Sequence, residues 1–236
     1  RMLGNGMFRV VVLLAETHPE IKYDVFMRLN TGSVRLNEQE LRNCLYRGKF
    51  NDFLKECRFN EKFLACLKLK DTHKRFVDAE LVLRCLAIRE NYDLNTYMLN
   101  YPGRMKTFLN MFMAKYQNID TEKMAEFGAA FNGCMDNIYS VLGDTAFRRP
   151  DKYGNHETRI NRSLIDVIML CFSHLTMQEC EENKEVYQQN IVELCEDENF
   201  LDAITYGTAD SKRIMTRLEL GLKKFGIVED ARTSVI

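Results

Sequence analysis

The sequence predicts a mainly α-helical fold, a multi-helix bundle with one short β-strand at its start. Apolar residues recur at helical spacing through nearly the whole chain after Pro19. The segment Met7 to Leu14 alone reads as a strand, because Val10-Val11-Val12 with Phe8 and Leu13 forms a β-branched run after a Gly4-Asn5-Gly6 turn. A hydrophobic fraction of 46% over 236 residues is ample for a packed core.

The elements follow in chain order. A lone strand leaves its backbone groups unpaired, so the one at Met7 to Leu14 requires partner strands from elsewhere in the protein or from another chain. Pro19 suits a first helical position, with Ile21, Val25 and Leu29 on one face. Asn37 is a good N-cap for a helix over 38–47, Glu40 completes a capping box, and Leu36 and Leu41 occupy the hydrophobic-staple positions. Helical spacing then predicts helices over 50–58, 78–90, 103–117, 121–142, 161–175, 183–196, 198–205 and 208–225. The stripes Met105, Phe108, Leu109, Phe112, Tyr116 and Met124, Phe127, Phe131, Met135, Ile138, Leu142 are expected to be core. Turn formers and charges crowd together from Gly143 to Glu157, the best candidate linker. It divides the organisation into 1–60, a helical subdomain 61–142 and a C-terminal helical subdomain 158–236.

Composition excludes several classes of function. A formal net charge of -1 gives no global attraction to polyanions, although a local basic patch is possible. The basic run Arg47, Lys49, Lys55, Arg58, Lys62 is interleaved with Asp52, Glu56 and Glu61, as on a mixed solvated face. No apolar run is long enough to span a bilayer and no signal-peptide pattern is present, so a cytoplasmic protein is expected. The eight cysteines lie mainly at apolar helical positions without a C-x-x-C pair, which points to reduced, buried thiols and no zinc or redox motif. No cofactor or metal is expected to be held by this chain.

One segment carries more than propensity demands. Arg28, Asn30, Arg35, Gln39, Arg42 and Asn43 surround an Asn30-Thr31-Gly32-Ser33 turn, and capping uses none of Arg28, Asn30 and Arg42. Guanidinium groups beside a helix N-terminus suit a phosphate pocket. Three histidines invite chemistry but have plainer accounts. His73, near Asp78 and Glu80, is expected in a solvated turn before a helix; His156 lacks the further ligands of a nuclease metal site; His174 is expected to be a satisfied core residue. Nucleophile motifs, glycine-rich phosphate loops and paired catalytic carboxylates are missing from the sequence.

The stretch Val25-Phe26-Met27-Arg28-Leu29-Asn30-Thr31-Gly32-Ser33-Val34-Arg35-Leu36-Asn37-Glu38-Gln39-Glu40-Leu41-Arg42-Asn43 resembles the ParB-like family that includes the GmrS half of GmrSD modification-dependent (type IV) restriction enzymes. Tyr46-Arg47-Gly48, Phe50-Asn51, Phe53-Leu54 and Arg75-Phe76-Val77-Asp78-Ala79-Glu80 extend the likeness, which covers about residues 20 to 90. The resemblance implies a ParB/sulfiredoxin-like α/β unit that binds and hydrolyses nucleoside triphosphate with Mg in an intact member, in bacterial defence against modified or phage DNA. The family's Asp-Gly-Gln-Gln-Arg motif is absent here, as is a downstream nuclease half. With Arg1 in place of an initiator Met, this leads to the expectation of a C-terminal fragment, residues 1–60 being the remnant of the α/β unit and the strand a piece of its sheet. It would not be catalytic alone, and would act with DNA, nucleotide, and a partner subunit or nuclease domain. Arg28, Asn30, Thr31, Gly32, Arg35 and Arg42 would contribute half of a nucleotide or phosphate site. The rival expectations are a helical protein–protein interaction module and a sequence-independent DNA-binding module.

Overall fold

The computed structural model describes residues 19–29 and 35–228, with Val10, Val12, Leu14 and Thr17 before them. Among these residues the protein is mainly helical. The helices are α1 (Pro19–Leu29), α2 (Glu38–Leu45), α3 (Lys49–Cys57), α4 (Glu61–Leu67), α5 (Val77–Asn91), α6 (Met105–Tyr116), α7 (Thr121–Leu142), α8 (Arg162–Phe172), α9 (Met177–Glu182), α10 (Lys184–Glu196), α11 (Glu198–Thr205) and α12 (Ser211–Lys224). The strand expected over Met7 to Leu14 falls largely outside the described residues. Where it is described, at Val10, Val12 and Leu14, the backbone pairs with no strand and the side chains are exposed.

Two helices form the centre. From Ala79 to Ile88 every residue of α5 except Glu80 is buried, and α8 is buried from Ser163 to Phe172. A helix apolar on all sides belongs inside a protein, and the others wrap these two. The α6 and α7 stripes face this core as expected: Phe108, Leu109, Phe112, Phe127, Phe131, Met135 and Ile138 are buried. Phe63, Phe131 and Phe147 meet edge to face, with ring centroids 5.5 and 6.1 Å apart, so the 143–157 segment is pinned to the core by its own Phe147. Side chains from both sides of that segment belong to one apolar cluster.

Three local features depart from expectation. Among the described side chains of α1 Tyr23 is buried and Ile21 is exposed, because the helix docks against α2 and α6 through a tyrosine whose ring carries the Lys106 ammonium at 4.2 Å. The short helices α4 and α9 span two turns or fewer, too few residues to show a periodicity. A two-stranded antiparallel ribbon, β1 (Tyr92–Asp93) and β2 (Met98–Leu99), pairs Tyr92 with Leu99 and Asp93 with Met98. It is too short to alternate visibly.

Burying α5 and α8 also buries their charges, which must then be paired. Asp166 of α8 accepts from Arg84 Nε and Nη2 at 2.9 and 2.5 Å and from Arg217 Nη2 of α12 at 2.8 Å. One turn earlier, Glu80 of α5 faces Arg162 of α8 at 3.7 Å. The pairs 80/162 and 84/166 advance together, so the two central helices run in the same direction with opposite charge order. Six of the eight cysteines are buried, with Cys44 exposed and Cys57 half-buried. Burial pushes the Cys57, Cys66 and Cys195 thiols up to about 12, which leaves them unreactive near neutrality. No described helix is long and apolar enough to cross a membrane.

Candidate anion-binding cleft

The polar residues around α2 fall into two environments. The capping box forms: Asn37 Oδ1 accepts from Glu40 N at 2.8 Å and Glu40 Oε2 accepts from Asn37 N at 2.7 Å. Arg42 is fully buried. Its Nε donates to Asn110 Oδ1 at 3.0 Å, Nη1 to Gln39 Oε1 at 3.0 Å and Glu80 Oε2 at 3.1 Å, and Nη2 to Glu38 Oε2 at 3.3 Å. Gln39 Nε2 in turn donates to Asn43 Oδ1 at 3.2 Å. The excess of Arg, Gln and Asn here is therefore one internal network that fills the Arg42 guanidinium, with the Asn43 and Asn110 Nδ2 groups buried at its ends without a partner. Arg28 and Arg35 are exposed, and the Arg35 carbonyl accepts from Arg75 Nη2 at 2.7 Å. Asn30, Thr31 and Gly32 lie outside the described residues. Buried Arg42 and exposed Arg28 and Arg35 thus do not share one environment.

His73 holds a turn. Its Nδ1 accepts from Arg75 N at 3.1 Å, its N–H donates to Asp78 Oδ2 at 2.7 Å, and its carbonyl accepts from Arg58 Nη2 at 2.8 Å. Asp78 also accepts from Arg58 Nε at 2.8 Å and from Ala79 N at 2.9 Å, so its charge is paired with a neighbouring arginine. The imidazole makes no hydrogen bond to Asp78 or Glu80, and an acid/base pair is not formed. His174, just past α8, is half-buried, and burial first, then Arg89, lowers its pKa.

A different arrangement emerges where the N-termini of α2, α5 and α8 converge. A small cleft of about 180 Å³ is lined by Asn37, Glu38, Gln39, Val77, Glu80 and Arg162. Beside it, sharing Val77 and Arg162, opens a larger cleft of about 450 Å³. Leu67, Leu69, Leu81 and Ile160 give it apolar walls; Arg148, Arg159, Arg162, His73, Thr158 and the Asp78 carboxylate supply the polar groups. The N-termini of α2 and α8 are capped by Asn37 and Asn161, whereas the N-cap of α5 is Phe76, left-handed at φ 58 and without a side-chain cap, and the first turn of α5 carries Asp78 and Glu80, with Asp78 accepting from Ala79 N at 2.9 Å.

Arg148 is the informative residue. It is only 6% exposed, and its partners are carbonyls: Cys66 O at 2.7 Å from Nη1, Asp144 O at 3.4 Å from Nη1 and Thr158 O at 3.4 Å from Nε. Among the described residues no carboxylate lies within ion-pair distance of it. The other buried arginines differ: Arg42, Arg58, Arg84 and Arg217 each meet a carboxylate. Arg159 is exposed and no described side chain pairs with it, and exposed Lys68, Lys70 and Lys74 punctuate the segment whose Leu67, Leu69 and His73 line the cleft. The small cleft is charge-balanced, because Glu38 and Glu80 are answered by Arg42 and Arg162. In the larger one Asp78 is answered by Arg58 and Arg162 by Glu80, which leaves Arg148 and Arg159 without a carboxylate partner among the described residues.

These residues were visible in the sequence only as part of a linker. Arg148-Arg149 before Pro150 and Arg159, Arg162 after Gly154 bracket a turn with cations, but which cation is buried is decided by Cys66, far away in the chain. No family model, curated protein or solved structure matches this chain.

Proposed function

We propose that this chain is a non-hydrolytic nucleic-acid-binding module of a GmrS-like DNA-defence system, which holds backbone phosphate groups in the cleft between the N-termini of α5 and α8. The carrying observation is the buried Arg148 guanidinium without a carboxylate counter-charge at the edge of a cleft that also presents Arg159 and Arg162. A buried cation is costly unless a negative group completes its surroundings. Phosphate fits because guanidinium groups and helix N-termini both favour its oxygens. Arg148 organises the cleft edge, Arg159 is free to contact the ligand, and Arg162 is shared between the ligand and Glu80. The likeness over residues 20–90 supplies the DNA context. Phosphate contact carries no base information, so binding is sequence-independent.

Titration of the purified chain with fluorescent duplex and single-stranded DNA at increasing salt tests the proposal. Affinity should fall steadily with salt, and Arg159→Glu should weaken binding to every sequence and reduce the salt slope by about 1, with an unchanged melting temperature. Affinity indifferent to both salt and Arg159→Glu would overturn it, as would robust triphosphate turnover by this chain alone.

A further inference from the structure

The charge left open in the larger cleft has a definite size. Asp78 is paired with Arg58 and Arg162 with Glu80, and the His73 imidazole is engaged by its own turn. Among the described residues that line the cleft, the uncompensated ions are therefore two guanidinium groups, Arg148 and Arg159. The Arg148 head faces this cleft. Its Nε partner, Thr158, is a lining residue, and its Nη1 partner, Cys66, adjoins Leu67, which is another. Nη2 shares an edge of the guanidinium with Nε. It makes no hydrogen bond among the described residues and is not sealed from solvent. That edge is set to donate to an incoming acceptor.

Charge and shape both separate the end of a strand from its middle. A phosphodiester inside a strand carries one negative charge, whereas a phosphomonoester carries about −1.5 to −2 near neutrality and presents three free oxygens. The monoester matches two unanswered guanidinium groups and the diester does not. The positive charge also stops here: on the α2 side the adjoining small cleft presents Glu38 and Glu80, already balanced by arginines, and offers a second phosphate no net attraction. With a volume of about 450 Å³ the cleft falls among small-molecule sites, which run to roughly 300–1,000 Å³. Leu67, Leu69, Leu81 and Ile160 wall it. Bare phosphate has no apolar surface to bury against such walls; a nucleobase, with its flat faces, does.

We infer that the larger cleft holds a nucleoside phosphomonoester, its dianionic phosphate between Arg148 and Arg159 and its nucleoside against the aliphatic walls. This rests on the phosphate-binding function proposed above and narrows its ligand from any backbone phosphate to a terminal one. The phosphorylated end of a strand and a free mononucleotide offer the same chemistry. Fluorescent oligothymidylates of one length, ending in hydroxyl, in a 5′- or 3′-phosphate, or in the methyl ester of that phosphate, test the inference by anisotropy. A phosphate at one of the ends should tighten binding about tenfold, and the singly charged methyl ester should forfeit most of that gain. Arg159→Glu, at an exposed position, should abolish the difference without lowering the melting temperature. Inorganic phosphate should compete about tenfold less well than the matching thymidine monophosphate; equal competition would remove the nucleoside from the site. Thymidine monophosphate that displaces the strand at equal concentration assigns the cleft to the free nucleotide, and displacement only in about tenfold or greater excess assigns it to the strand end. If phosphate-ended strands bind like hydroxyl-ended ones, or the methyl ester keeps the whole gain, while Arg159→Glu still weakens binding, recognition of the dianion is refuted and the cleft stands. If no strand or nucleotide binds, or Arg159→Glu changes nothing, the cleft itself is refuted and this ligand with it.

Discussion

Glu80 stands between Arg42 and Arg162: its Oε2 lies 3.1 Å from Nη1 of the buried arginine and its Oε1 3.7 Å from Nη1 of the exposed one. One carboxylate therefore joins the interior network under α2 to the rim of the cleft. Removing Arg42 leaves Glu80, Gln39 and Asn110 facing a void with unpaired polar atoms. Arg42→Ala should cost about 3–5 kcal/mol in urea unfolding, whereas Arg28→Ala, at the exposed end of α1, should stay within about 0.5 kcal/mol. Near-equal effects would show that the interior network contributes little.

Asp166 neutralises two buried arginines at once. Without it, Arg84 and Arg217 would confront each other in the centre of the helical core, where burial already lowers the Arg217 pKa. Asp166→Ala is expected to cost about 3–5 kcal/mol and Asp166→Asn distinctly less, because the amide oxygen still accepts a hydrogen bond. Chemical denaturation of the two variants checks the order.

Gly48 begins α3 at φ +153, and a Cβ built on it would lie 2.5 Å from the Gln117 carbonyl oxygen. The contacted atom is backbone rather than the far end of a flexible side chain, and Gln117 is also tied to the same turn by its Nε2, which donates to Arg47 O at 2.8 Å. Gly48→Ala should therefore lower stability by about 1–3 kcal/mol, read as a drop in melting temperature. Gly128→Ala, whose Cβ would meet only Phe53 at an ordinary 3.5 Å, serves as the tolerated control.

Glu40 links the α2 cap to Arg75. The Arg75 hydrogen bond is the main cause of its lowered pKa; burial opposes it, and the Asn37 backbone N–H adds a smaller lowering. A carboxylate with a depressed folded pKa contributes stability that is fully present above its unfolded value and lost as pH falls through the folded one. The melting temperature should thus drop between about pH 5 and pH 3 by more in the wild type than in Glu40→Gln, which has nothing to titrate there. Parallel pH profiles would show that the ion pair contributes nothing.

What the sequence revealed was local. Asn37 and Glu40 announce α2 because a capping box is complete within four residues, and the Phe108–Phe112 and Phe127–Phe131 stripes announce α6 and α7 because one face repeats. The surplus of planar side chains near Arg42 was equally visible, but its meaning was not: Asn110 and Glu80, which absorb Arg42, lie on other helices. Arg148 shows the same limit. Its environment is made by Cys66, Asp144 and Thr158, so no window of sequence distinguishes it from Arg149 beside it.

The interior arginines also change what the formal charge means. Among the described residues five arginines and two aspartates are buried, so with the whole chain at -1, everything outside that buried set sums to -4. A polyanion approaching from solution meets mild repulsion first. Favourable attraction begins only within about 8 Å of the basic cleft, the screening distance at physiological ionic strength. Under the proposed function, encounters with a polyanion would be unsteered and productive at one face alone, a kinetic filter set by where the cations are hidden rather than by how many there are.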